Sequence, residues 1–270
     1  MNAPLEPWRL KRDPLDDFTA EDLTFGAERR QVFVSGKGPA VIVIAEIPGI
    51  TPEVARFARW VRDAGFTVFM PVLFGDPGRP ASLAYGVSVV TRACVSRQFR
   101  ALTSNVTAPV TVWLRALAAS AHVRCGGKGV GAVGMCFTGN FALSMMLEPA
   151  MLAPVLCQPS LPIGRKGGVH TDPDELAAIR SRMERENLLA LAYRFEGDAL
   201  CPGQRFKDYD RLLGDRIQLK SLPASSANPA APIKAPHSVV TQHLIDREGE
   251  PTRAAVDEIL AFFRERLIEA

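Results

Sequence analysis

Val130-Gly131-Ala132-Val133-Gly134-Met135-Cys136-Phe137-Thr138-Gly139-Asn140 is the stretch whose reading decides the fold of this 270-residue chain. A short apolar run reaches a glycine, a cysteine follows two positions later, and a helix-like segment begins straight after it. This is the sequence form of a nucleophile elbow, with sulfur where a serine hydroxyl is more usual. An elbow needs a tight strand-to-helix turn that holds the nucleophile in a strained backbone conformation with its side chain exposed. Gly134 leaves room for that turn, and Gly139 lets the new helix pack closely. The N-terminus of that helix would favour thiolate at Cys136. The bland alternative is a core cysteine at a strand end, since free cysteines are among the most buried residues.

Outward from the elbow, strand-like and helix-like segments alternate. Gln31–Val34 reads as a first strand and Ala40–Ala45 as a continuous apolar one, as at the centre of a parallel sheet. Thr51-Pro52-Glu53 is a helix start, with threonine as N-cap and proline at the first helical position. That helix runs to about Asp63 and stops at Gly65. Phe66–Pro71 follows as a strand, 74–90 as a Gly/Pro-rich loop, and about 92–122 as a helical region. Further strands fit at Pro154–Cys157, Leu189–Tyr193 and Ile217–Leu219, and helices at Asp172–Glu186, Gln204–Leu213 and Glu250–Ile268. Ser221–Pro236, rich in Ala, Ser and Pro, reads as a long loop. The alternation predicts a doubly wound, mostly parallel α/β sheet with helices on both faces. Residues 1–24 read as an extension that wraps the surface or stays mobile, and 25–270 as one domain.

Composition narrows the function classes. Hydrophobic residues make up 47% of the chain, enough for a large core, and the formal charge is only +3 with both signs interspersed. That argues against a nucleic-acid or membrane-surface partner. No stretch has signal-peptide or membrane-span character, so a cytoplasmic enzyme, monomeric or a small homo-oligomer, is expected. The five cysteines, Cys94, Cys125, Cys136, Cys157 and Cys201, are odd in number and form no CxxC pair. Neither a disulfide framework nor a metal site is indicated.

Two later sites supply partners for Cys136. The strand at Leu189–Tyr193 runs into Glu196-Gly197-Asp198, which puts Asp198 at the carboxyl edge of the sheet, where α/β sites lie. Ala235-Pro236-His237-Ser238 places a histidine in a loop before the last helix. Nucleophile, acid and histidine in that order are the α/β-hydrolase arrangement. His237 would take the thiol proton and return it to a leaving group, and Asp198 would fix the imidazole tautomer. Of the other histidines, His122 and His170 break the order, and His243 is the competitor. Glu46 closes the apolar strand, a costly position for an unpaired carboxylate. If that strand neighbours the one carrying Cys136, the backbone N–H groups of Ile47 and Phe137 form an oxyanion hole.

These residues resemble the dienelactone hydrolase (carboxymethylenebutenolidase) family of the α/β-hydrolase superfamily. The matching pieces are Ala45-Glu46-Ile47-Pro48-Gly49-Ile50, Gly65-Phe66 with Pro71, Gly134-Met135-Cys136-Phe137-Thr138-Gly139, Gly197-Asp198 with Pro202, and His237-Ser238, from about residue 28 to the C-terminus. The family motif Gly-x-Cys-x-Gly-Gly is met at Gly134, Cys136 and Gly139, and Thr138 departs from it. The resemblance implies a Cys136–His237–Asp198 triad, oxyanion amides at Ile47 and Phe137, and Glu46 as the carboxylate that holds the resting thiol. It implies hydrolysis of a small ester or lactone through a thioester acyl-enzyme, with no metal or organic cofactor. Family enzymes grip a substrate carboxylate with arginine, one of them shortly after the catalytic histidine; here that segment reads His237-Ser238-Val239-Val240-Thr241-Gln242. Arg97 and Arg100 are the candidate substitutes, and Val239 and Cys201 are candidate pocket residues. The alternatives are a non-catalytic ligand-binding protein on the same fold and a thioesterase acting on a larger acyl substrate.

Overall fold

The computed structural model describes residues 6–103 and 105–268. In chain order its elements are strands Thr19–Phe25 (β1), Glu28–Gly36 (β2) and Ala40–Ile44 (β3), helix Pro52–Asp63 (α1), strand Thr67–Pro71 (β4), and helices Leu83–Val95 (α2) and Val110–Cys125 (α3). Strand Val130–Met135 (β5), the one-turn helix Phe141–Ser144 (α4), strand Met151–Cys157 (β6), helix Pro173–Arg185 (α5) and strand Ala190–Phe195 (β7) follow. Helix Gly203–Leu213 (α6), strand Ile217–Leu222 (β8) and helix Pro251–Leu267 (α7) complete the chain.

The eight strands form one sheet in the order β1-β2-β4-β3-β5-β6-β7-β8. β1 pairs antiparallel with β2, and β2 with β4; every other pair is parallel. This is an α/β-hydrolase fold. Strand side chains alternate between faces, and the core is split accordingly. Val41 and Val43 pack with α1 and α7 through Phe57, Val61, Ile259 and Phe263. Ile42 and Ile44 pack on the other face with Leu114 and Leu117 of α3, Ile179 of α5 and Tyr209 of α6. Strands buried on both faces therefore read as unbroken apolar runs, which is why β3, β4 and β5 were visible in the sequence. Among the described residues no helix is long and apolar enough to cross a membrane.

Three expectations change. First, the sheet begins inside the supposed 1–24 extension, with β1 on the edge; its polar, half-exposed alternation hides it in a hydropathy reading. The segment before it lies against α1, where Arg59 binds Asp13 at 2.6 Å and Asp17 at 2.7 Å. Residues 1–5 lie outside the described residues. Second, the loop at 74–90 and the helix at 92–122 resolve into α2 and α3 with a break between them. Ser82 caps α2 by accepting the Tyr85 N–H, and α3 starts after Pro109. Third, the elbow is followed by short turns rather than one helix: Cys136–Thr138 and Met145–Leu147 are 3₁₀, with α4 between them. Pro149 disfavours helical backbone at Glu148, which is extended, and the chain turns into β6.

Candidate active site

Every group of the site leaves the carboxyl end of a parallel strand or the loop after β8. Cys136 follows β5 directly, and its φ of 53° is the left-handed strain expected of an elbow. A Cβ at Gly134 would collide with the Thr138 carbonyl oxygen, so glycine is required there. A Cβ at Gly139 would lie 2.6 Å from the Pro159 Cα, which shows how tightly the loop after β6 packs on the elbow.

Thr138, the departure from the family motif, is fully buried, and its hydroxyl is shared among backbone groups. It accepts the Met135 N–H at 3.0 Å and lies 2.9 Å from the Ile44 carbonyl oxygen, to which it donates. The side chain thereby ties the elbow to the end of β3, beside the Glu46-Ile47 segment. Thr138→Val keeps the shape and strands these partners, which costs about 1–3 kcal/mol. Thermal denaturation should show a Tm several degrees lower, with Thr138→Ser close to the parent.

Asp198 and His237 meet as expected. The His237 Nδ1–H donates to Asp198 Oδ2 at 2.7 Å, and Asp198 Oδ1 accepts the N–H groups of Leu200 (2.9 Å) and Cys201 (3.1 Å). Both side chains are buried. With Nδ1 so engaged, Nε2 faces the elbow. The Ser160 hydroxyl lies beside both, 3.4 Å from His237 Nε2 and 3.4 Å from Cys136 Sγ. Burial alone would lower the His237 pKa; the charge and hydrogen bonding of Cys136 and Asp198 carry it well above 6.5. Burial alone would raise that of Asp198; His237 and the two amides hold it below the ordinary value.

His243, the competitor, is structural. Its Nδ1 accepts the Ser238 N–H at 3.0 Å, so the proton sits on Nε2 and is donated to the Ile233 carbonyl at 2.8 Å. Burial pushes its pKa down to about 4, which keeps the ring neutral as it braces the His237 loop.

Glu46 is buried, and its pKa is raised by that burial against the pull of the Thr241 hydroxyl, the His237 charge and the Ser238 hydroxyl. Oε2 accepts from Ser238 Oγ at 2.8 Å and Gln158 Nε2 at 3.4 Å, and Oε1 accepts from Thr241 Oγ1. Both oxygens are thus engaged on the His237 loop and the end of β6 rather than on Cys136. Glu46 still lines the cavity that reaches the thiol. Ile47 and Phe137 follow the carboxyl ends of neighbouring strands. β3 neighbours β5 with Ile44 opposite Gly134, and both residues border the space above Cys136. Among the described residues, neither amide is spent on a protein acceptor.

The four candidate pocket residues fall elsewhere. Val239 is fully buried, with its N–H donated to Gln158 Oε1 at 3.2 Å. Cys201 is fully buried beside Asp198, a free thiol whose pKa burial drives up. Arg97 and Arg100 are exposed and line no cavity at Cys136; between them Phe99 packs against Phe137 of the elbow, ring centroids 5.4 Å apart, and the two guanidinium groups stay in solvent. The cavity walls come instead from Leu200, Ser160, Ile163, Val90 and Ile233. Ser160, Gln158 and Thr241 were not singled out in the sequence. The signal for the first two was a polar Gln158-Pro159-Ser160 immediately after a buried parallel strand; Thr241 carried none.

The sequence pattern described as the dienelactone hydrolase family matches residues 27–158. That span contains Glu46, Ile47 and the elbow, and stops before Asp198 and His237. No curated protein matches the sequence. Solved structures do match the fold. One assigned as a dienelactone hydrolase from Klebsiella pneumoniae is 17% identical, with 92% of this chain and 99% of that one covered at a TM-score of 0.61. A dienelactone hydrolase-like promiscuous phosphotriesterase from metagenomic libraries is 19% identical, covering 93% and 99% at 0.60. A dienelactone hydrolase from Anabaena variabilis is 14% identical, covering 93% and 98% at 0.58.

Proposed function

We propose that this chain, whose residues 27–158 match the pattern of the dienelactone hydrolase family, is an ester hydrolase that cleaves a carboxylic ester or lactone through a thioester on Cys136. The observation that carries this reading is the line Asp198–His237–Cys136, with the imidazole held by a 2.7 Å bond on Nδ1 and its Nε2 turned to the elbow. His237 Nε2 takes the proton of the Cys136 thiol as sulfur attacks the carbonyl carbon. The carbonyl oxygen becomes an oxyanion between the Ile47 and Phe137 amides. His237 passes the proton to the departing alkoxide, which leaves as alcohol. A water then loses a proton to His237 and attacks the thioester; the acid departs, and sulfur recovers the proton. Glu46 acts as a positioning residue, since its bonds to Ser238 and Thr241 fix the loop that carries His237.

Five free thiols, one of which must stay reduced to react, favour a reducing compartment, the cytoplasm. Intact-mass spectrometry during turnover of p-nitrophenyl esters tests the chemistry. An acyl adduct confined to Cys136, and loss of turnover after alkylation of that thiol, are expected. An unreactive Cys136 with saturable ligand binding would instead support a non-catalytic role.

A further inference from the structure

Two cavities meet at Cys136, and they differ in chemistry. The first, about 340 Å³, lies along α2 and contains His237 together with Leu83, Val87 and Ile233. The second, about 430 Å³, runs past Phe137 and Ser160 between Ile163 and Leu200, and ends at Arg165 and Lys166. Cys136, Ile47, Val90 and Leu200 border both. Each is of a size that holds one arm of a small-molecule ligand.

The position of His237 fixes which arm takes which half of an ester. The group that protonates the leaving oxygen lies in the α2 cavity and not in the other, so the alcohol half belongs beside α2 and the acyl half beside the loop after β6. The α2 arm has an apolar rim: Leu83, Val87, Val90, Leu200 and Ile233 are all large hydrophobics left exposed, and all border it. An apolar alcohol would cover them.

The acyl arm is apolar along its length and cationic at its outer end. Phe137 and Ser160 are buried, whereas Gly164, Arg165 and Lys166 are exposed. Among the described residues, neither Arg165 nor Lys166 has an acidic partner within 4 Å, and no carboxylate borders this cavity. The loop that carries them is anchored from beneath. Arg205 of α6, fully buried, donates to the carbonyls of Pro159 (3.0 Å), Pro162 (3.0 Å) and Arg165 (2.7 Å). Asp208, also on α6, accepts the Gly168 N–H at 2.6 Å. A buried guanidinium with three carbonyl partners holds this backbone in place, so the two cations spring from a fixed stretch of main chain at the mouth of the cavity.

We propose that this hydrolase acts on esters of an apolar alcohol with an acid whose far end is anionic, and that Arg165 and Lys166 take that terminal anion. The inference rests on the cysteine-hydrolase reading above. It makes the anion remote from the scissile carbonyl, with the apolar walls of Ile163, Leu200 and Pro202 between them.

The test compares p-nitrophenyl octanoate with the mono-p-nitrophenyl ester of suberic acid, which has the same chain length and a terminal carboxylate. The parent should favour the charged ester by about tenfold or more in kcat/KM, mostly through KM. The preference should shrink as ionic strength rises. The double variant Arg165→Gln/Lys166→Gln, at exposed positions where folding is insensitive, should lose the preference, the charged ester falling to the level of the neutral one. A parent that turns over the neutral ester equally well or better, or a variant that keeps the preference, overturns this inference alone. No turnover of either ester, with no adduct on Cys136, overturns the hydrolase reading and this inference with it.

Discussion

Cys136→Ala is expected to reduce ester hydrolysis on the order of 10⁴-fold or more, to what binding and the oxyanion amides supply without a nucleophile. The fold should survive. Cys136 is only partly buried, and its polar neighbour at 3.4 Å, Ser160 Oγ, is also within 3.1 Å of the Gln158 carbonyl, so truncation of one sulfur atom leaves neither a large void nor a hydroxyl without a partner. Alanine also accepts the left-handed backbone, with φ of 53°, no worse than cysteine does. The check is steady-state kinetics on p-nitrophenyl esters together with a melting curve. Lost turnover at an unchanged Tm assigns the effect to chemistry. Turnover within tenfold of the parent would remove Cys136 from the mechanism and leave the strained elbow without a purpose.

Asp198→Asn should cost on the order of 10³–10⁴-fold in kcat, with KM little changed. Asparagine can keep the Leu200 and Cys201 amides by presenting its oxygen to them. It then turns its NH₂ toward His237 Nδ1, and the ring must carry its proton on Nε2, the atom that has to receive one from Cys136. The lost charge also removes one of the two forces that lift His237, so burial draws its titration downward. Imidazole resonances followed by NMR should show that fall. The same pair leaves a mark on stability. Asp198, lowered in the fold, contributes stability above its ordinary 3.8 that is lost as pH falls through its folded value. His237, raised in the fold, contributes stability below its ordinary 6.5 that is lost as pH rises through its folded value. The stability gap between parent and variant should therefore be widest between about pH 3.8 and 6.5 and close on both sides. A gap that does not change with pH would mean that the pair is not ionic.

The sheet centre and the places of Cys136, Asp198 and His237 at strand ends or in a late loop were legible because each has a one-dimensional signature. β3 and β5 are unbroken apolar runs, Gly134 and Gly139 bracket Cys136 where side chains would collide, and Thr51-Pro52 caps α1 as read, with the Val54 N–H on the Thr51 hydroxyl at 3.4 Å. The β1 edge strand was missed because a half-solvated edge carries polar residues, and hydropathy then resembles a loop. The pocket was misread for a related reason. Val239 and Cys201 follow His237 and Asp198 closely in the chain, and Arg97 and Arg100 fall in a helical region that reads as a cover for the pocket. Nearness in the chain does not fix the direction of a side chain: Val239 and Cys201 point into the core, and the two arginines face solvent.

Glu46 and Thr138 show the division most plainly. The sequence alone established that a carboxylate ends a buried strand and that a threonine occupies a glycine position of the motif. Only the tertiary structure supplied their partners: Ser238 and Thr241 lie some 190 residues from Glu46 in the chain, and the Ile44 carbonyl lies 94 residues from Thr138. Burial periodicity and steric room for a turn are local properties, written in consecutive residues, and so the chain by itself determined the α/β-hydrolase scaffold, the elbow and the order of Cys136, Asp198 and His237 along it. Satisfying a buried polar group depends on what the fold brings within about 3 Å of it, and so the roles of Glu46, Thr138 and Ser160, and the two arms that open at Cys136, were decided only by the packing of distant segments.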